Sequence, residues 1–103
     1  MQHAVSGLLS VAPKLTTDMG QSKMDEAVKL LDALSHPLAP DEVAALMSLL
    51  PSDGDDACGL NWTVLHWIEA SPDWPRWDLL ADSEDEWIEI FLIRLKNAGI
   101  ERP

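Results

Sequence analysis

The chain offers few pairs of a nucleophile with a histidine base, because it has one cysteine and three histidines. Cys58 and His66 are close in sequence, but eight helical residues separate them by about 12 Å, too far for an imidazole to activate a thiol. His66 and Glu69, at i and i+3, could orient a general base, or form a local hydrogen bond. No catalytic or nucleotide-binding motif accompanies them. We therefore expect a non-enzymatic protein.

The acidic loop, residues 51–59, carries three aspartates around Gly54: Asp53, Asp55 and Asp56. Their order differs from a calcium-binding loop, and the glutamate that closes such a loop is missing. Cys58 alone cannot form an internal disulfide or a thiolate zinc site. We expect no metal and no cofactor. The loop is interpreted either as a solvated connection or as a landing site for a basic partner.

Charge is the unusual property of the composition. The net charge is −11, and residues 41–89 hold 13 acids against one base, Arg76. Such a field repels nucleic-acid phosphates and anionic lipids, and it accelerates the capture of basic proteins. Simple solubility is the alternative interpretation. We expect no direct nucleic-acid or membrane binding.

Hydropathy gives no sign of export or of membrane insertion. The N-terminal apolar run lacks a preceding basic region, which argues against a signal peptide. No apolar stretch approaches the length of about 18 residues that spans a bilayer. We expect a soluble cytoplasmic protein.

Residues 59–71 predict a helix with two faces. One face predicts core packing and consists of Leu60, Val64, Leu65, Trp67 and Ile68. Trp62, His66 and Glu69 share another face that the core does not explain. Residues 72–77 then form an irregular corner with two prolines and two tryptophans.

Three further patterns predict the other helices. Residues 22–35 show an apolar stripe after a capping box that begins at Ser22, and residues 40–50 begin with proline and acids. Residues 83–97 begin with a capping box at Ser83 and end with Arg94 and Lys96 before Gly99. Residues 77–80 predict one helical turn. Residues 1–21 either pack on this body or form a loosely packed N-terminal arm.

No alternating strand pattern is present, so the sequence predicts an all-α fold. The short connections predict four main helices as two stacked antiparallel helical hairpins, either a bundle or a HEAT-like pair. With 103 residues, the chain is expected to form a single helical domain, residues 1–103.

The tryptophans have three interpretations. Trp67 and Trp87 lie on core arcs of their helices. Trp62, Trp74 and Trp77 are interpreted as core residues or as interface anchors inside a charged rim. Stacking on nucleic-acid bases is excluded, because it requires a basic groove.

The segment WTVLHWIE, residues 62–69, follows the acidic loop and a hairpin that ends in ALMSLLP. It resembles the W-x-x-[LIV]-H-x-I-E helix of the small helical immunity proteins of bacterial polymorphic toxin and contact-dependent growth inhibition systems. The resemblance covers residues 40–75. It implies a cytoplasmic protein that neutralises the C-terminal domain of a cognate toxin, commonly a nuclease with a basic active site. Trp62, His66 and Glu69 would then be landmarks that shape the fold.

On this hypothesis the toxin contacts come from acidic loops with aromatic anchors: Asp53, Asp55, Asp56, Asp73, Trp74, Trp77, Asp78, Asp82, Glu84 and Asp85. The first alternative is an acidic adaptor or secretion chaperone, often homodimeric, that binds an amphipathic helix between its hairpins, with Ile90 and Ile93 as interface residues. The second is an anionic mimic of nucleic acid. Monomer and homodimer both remain open.

Overall fold

The computed structural model describes residues 1–82 and 84–102, and this part of the chain contains helices and no strand. The predicted all-α class is therefore confirmed. Three single turns of 3-10 helix, Thr17–Met19, Ala57–Gly59 and Trp77–Leu79, connect five α-helices. The α-helices are α1 (His3–Val11), α2 (Gln21–Asp32), α3 (Pro40–Ser48), α4 (Leu60–Glu69) and α5 (Glu86–Asn97).

The N-terminal segment supplies a fifth helix beyond the four main helices predicted. The Gln2 side chain joins the start of α1 to Ser35 after α2, accepting from the Ser35 N–H at 2.9 Å and donating to its carbonyl at 3.2 Å. Gly7 lets Leu30 approach α1 closely, because a Cβ there would lie 2.8 Å from a Leu30 methyl group. α1 and α2 are therefore antiparallel, and α1 buries Ala4, Val5 and Leu8.

A buried carboxylate joins the starts of α1 and α3. Glu42 is 5% exposed, and its two oxygens accept from the backbone N–H groups of Gln2 and Ala39, both at 2.9 Å. These two bonds, the Ala39 bond first, hold the pKa of Glu42 below its ordinary value. We call this arrangement the Glu42 clasp. It satisfies an N–H at the start of each helix that has no partner within the helix.

Helix α5 runs in the same direction as α4. The Trp62 and Trp87 rings pack edge-on with centroids 5.0 Å apart, and Glu69 binds Arg94 through both oxygens at 2.7 and 2.8 Å. The N-terminal ends of α4 and α5 therefore lie together, and so do their C-terminal ends. The expected antiparallel hairpin of these two helices is not the arrangement observed, and the closest helix pairs are α1 with α2 and α3 with α4.

The parallel arrangement explains the proline-rich corner. A parallel neighbour requires a connection that returns along the full length of α4, and residues 70–85 supply it. Trp74 packs on Phe91 of α5 with ring centroids 4.8 Å apart, and Leu80 is buried. The helical turn predicted for residues 77–80 is confirmed at Trp77–Leu79.

The predicted core face of α4 is buried at Leu60, Val64, Leu65 and Ile68. Trp87 is also buried, whereas Trp67 is half-buried and stacks on His36 with ring centroids 4.1 Å apart. No described helix combines the length and the apolar character needed to cross a membrane.

Two predicted helix starts differ in detail. Helix α2 begins at Gln21 after Gly20, and no side chain caps it, so Ser22 does not form the predicted capping box. The predicted capping serine of α5, Ser83, lies outside the described residues. Asp85 caps α5 instead, and its carboxylate accepts from the backbone N–H groups of Trp87 and Ile88.

Candidate protein-binding face

Asp55 is turned inward to fold the acidic loop. Its carboxylate accepts from the backbone N–H and hydroxyl of Thr17, at 2.7 to 3.2 Å, and from the N–H of Ala57 at 2.8 Å. The Thr17 hydroxyl is the largest cause of the lowered pKa of Asp55, followed by the backbone N–H of Ala57. This residue, which we predicted to bind a partner, ties the loop to the segment after α1.

Asp53 and Asp56 keep their side chains at the surface. One oxygen of Asp53 accepts from the N–H of Asp55 at 3.0 Å, and one oxygen of Asp56 accepts from the N–H of Cys58 at 3.1 Å. Both residues are exposed. Each turn bond engages a single carboxylate oxygen, so these side chains remain accessible to a partner.

The second acidic segment, Asp82 and residues 84–86, contacts the first through Glu86. The Glu86 N–H donates to the carbonyl of Ser52 at 2.9 Å, and the Glu86 carboxylate contacts Gly54. The Asp82 carboxylate accepts from the Glu84 N–H at 3.0 Å. The two segments therefore meet at Glu86, and together they carry five exposed acids, which we call the acidic face: Asp53, Asp56, Asp82, Glu84 and Glu86.

Two buried groups hold the acidic loop in place from below. The Asn61 side chain is fully buried and donates to the carbonyls of Leu15 and Asp55, both at 2.9 Å. The Trp87 indole N–H donates to the same Asp55 carbonyl at 3.0 Å. We did not predict Asn61, and its position in the first turn of a helix after a glycine is its only sequence signal.

The corner acids belong to a separate site. Asp73 and Asp78 both bind the Arg76 guanidinium, at 2.8 and 2.9 Å. The hydrogen bonds that Arg76 donates lower the pKa of Asp78. The same bonds to Asp78, and the bond to Asp73, raise the pKa of Arg76. The structure therefore separates Asp73 and Asp78 from the acidic face and gives them a cation within the chain.

Trp62 is the most exposed tryptophan, with 39% of its surface accessible. Its ring packs on Trp87, whose indole binds the acidic loop, so Trp62 borders the acidic face. Trp74 and Trp77 are half-buried, and Trp77 lies under the Arg102 guanidinium at 5.5 Å. Trp62, rather than Trp74 or Trp77, is therefore the exposed tryptophan next to the acids.

The unexplained face of α4 is the side that meets α5. Trp62 and Glu69 provide the two contacts, and the Glu69 carboxylate binds Arg94 rather than His66. His66 is exposed beside a shallow groove. The predicted local pair of His66 and Glu69 is therefore wrong, because the guanidinium across the helix interface offers two donors to the carboxylate.

The remaining candidates form no chemical site in the described part of the chain. Ile93 on α5 is 51% exposed, whereas Ile90 is half-buried. No group of three or more histidine, cysteine or acidic side chains could hold a metal ion among residues 1–82 and 84–102. Comparison with protein-family models, curated proteins and solved structures finds no match.

Proposed function

We propose that this protein binds and neutralises the basic, nuclease-type domain of a cognate bacterial toxin, and that the acidic face covers the toxin's active site or substrate groove. The convergence of two acidic segments beside exposed Trp62 is the observation that carries the proposal. The resemblance of residues 62–69 to immunity proteins supplies the kind of partner. The protein itself performs no reaction in this proposal.

Charge and aromatic area would contribute to different steps of binding. The five acids of the acidic face carry no salt bridge to a described residue, so their charge is available to steer a basic surface. Trp62 offers the large, rigid contact area typical of residues that dominate binding energy. We therefore expect the acids to set the association rate and Trp62 the dissociation rate.

The probe is the product of the neighbouring reading frame, which this proposal requires to be a toxin with a basic C-terminal domain. The face variant carries Asp53→Lys, Asp82→Lys and Glu84→Lys. Its matched control carries the same change of net charge at Asp25→Lys, Glu26→Lys and Glu101→Lys, outside the acidic face. Stopped-flow association at low salt should slow by about tenfold or more in the face variant and by less than about threefold in the control.

A third variant, Trp62→Ala, should raise the dissociation rate by about tenfold with little change in the association rate. Circular dichroism melting identifies any loss due to unfolding. Co-expression should also restore growth to cells that produce the toxin domain. Equal slowing in both triple variants would show that the net charge of the protein, and not the position of the acidic face, sets the association rate. Failure to bind the neighbouring product, or to protect cells, would eliminate the immunity function.

A further inference from the structure

A groove runs beside α4, bounded on its other side by α2 and by His36 in the segment that follows α2. Two shallow cavities of about 290 and 320 Å³ share Thr63 as a lining residue. The first lies between Val28 and Leu60, and the second follows Thr63 to Ala70. The lining extends from Gly59 to Ala70, about 16 Å or three helical turns.

The two ends of the groove differ in chemistry. Asp32 lines one end together with Cys58, whose N–H is capped by Asp56. The other end has a flat aromatic wall, where His36 stacks on Trp67 at 4.1 Å. No lysine or arginine lines either cavity within the described residues. The groove therefore presents a carboxylate at one end and an aromatic wall, with His66 beside it, at the other.

We propose that this groove binds an amphipathic helix with an apolar stripe and a lysine or arginine near one end. A groove three helical turns long matches a helical ligand whose anchors repeat at i, i+3, i+4 and i+7. Asp32 attracts a basic residue at its end, and the wall of His36 and Trp67 receives an apolar side chain. The site is distinct from the acidic face and does not require the toxin partner.

The probe is a fluorescein-labelled amphipathic peptide of about 14 residues, with leucine on one face and lysine elsewhere, measured by fluorescence anisotropy near physiological salt. A second peptide replaces every lysine with glutamate. Thr63→Trp blocks the point that the two cavities share, and Thr63 is exposed, so the fold tolerates a larger side chain there. Asp32→Lys reverses the charge in the lining.

We expect the lysine peptide to bind the unmodified protein and the glutamate peptide to bind at least about tenfold more weakly. Thr63→Trp should weaken the lysine peptide by about tenfold, and Asp32→Lys by about threefold or more. Two controls outside the groove, Asn97→Trp and Glu26→Lys, should leave binding within about twofold. The acidic-face triple variant should retain most of the binding, which separates this proposal from the toxin partner.

Three results would overturn the proposal. Equal binding to Thr63→Trp would place the peptide elsewhere on the surface. Equal affinity for both peptides would remove the charge selection. Sedimentation that shows a dimer, with Thr63→Trp restoring the monomer, would assign the groove to a second copy of the chain.

Discussion

The Glu42 clasp and the acidic face use the same chemical group for opposite purposes. Glu42 is 5% exposed, and both of its carboxylate oxygens accept hydrogen bonds from backbone N–H groups. The acids of the acidic face are exposed, and each accepts at most one hydrogen bond, from a backbone N–H in its own turn. A carboxylate stabilises the fold when helix starts bring unpaired N–H groups to it, and it remains exposed to solvent when they do not. The position of the backbone therefore decides the role of each acid.

The largest difference between the two regions should appear in stability. Glu42→Gln should lower the free energy of unfolding by about 2 kcal/mol, because an NH₂ group replaces one of the two carboxylate oxygens. The charge-assisted hydrogen bond to that oxygen is lost, and the NH₂ group, itself a donor, then faces a backbone N–H. Glu84→Gln on the acidic face should stay within about 0.5 kcal/mol of the unmodified protein. Urea denaturation followed by circular dichroism measures both. Equal losses would erase the distinction between the regions.

The Glu42 clasp should also make stability depend on pH. The folded protein lowers the pKa of Glu42, so between that value and the unfolded value of about 4.3 the unfolded chain binds more protons and stability rises with pH. The clasp contributes fully above that range and is lost as pH falls through the folded pKa. Glu42→Gln should flatten this part of the stability curve, measured by denaturation from pH 6 to pH 3. Asp55, whose pKa is also lowered, keeps its own contribution in the Glu42→Gln variant.

A smaller effect of opposite sign is expected beneath the acidic face. Ala57 and Cys58 both have positive φ, 49° and 57°, a region that glycine occupies more easily. Cys58 is exposed, so Cys58→Gly removes little packing and should stabilise the protein by about 0.5 to 1 kcal/mol. Cys58→Ala, which retains the Cβ, is the matched control and should change little. Thermal melting distinguishes them, and equal melting temperatures would show that the loop is unstrained at this position.

The helical class and most helix positions followed from periodicity and from proline. The start of α3 at Pro40 and the core face of α4 are examples, because local sequence determines both. Helix α1 was harder to predict, because a glycine at position 7 weakens the helical pattern in the sequence. In the structure, Gly7 allows Leu30 to pack closely against α1. The direction of α5 depends on how the corner at residues 70–85 returns the chain, and periodicity carries no such information.

The acidic composition did not indicate which acids would lie exposed at the surface and which would bind groups within the chain. Asp55 and Asp73 belong to the same charge pattern as Asp53 and Asp82, yet the first pair binds Thr17 and Arg76 within the chain. These assignments depend on contacts between residues distant in sequence. Glu86 joined the acidic face for the same reason, through its contact with the loop at Gly54.

The packing of Trp62 on Trp87 also makes the molecule its own spectroscopic probe. The electronic transitions of two indole rings with centroids 5.0 Å apart and planes at 70° should couple. The coupling should disappear when the two rings separate. The pair joins the first turns of two helices that only the long corner connects. Its circular dichroism signal would therefore report, in the unlabelled protein, the moment at which the C-terminal helix docks during folding.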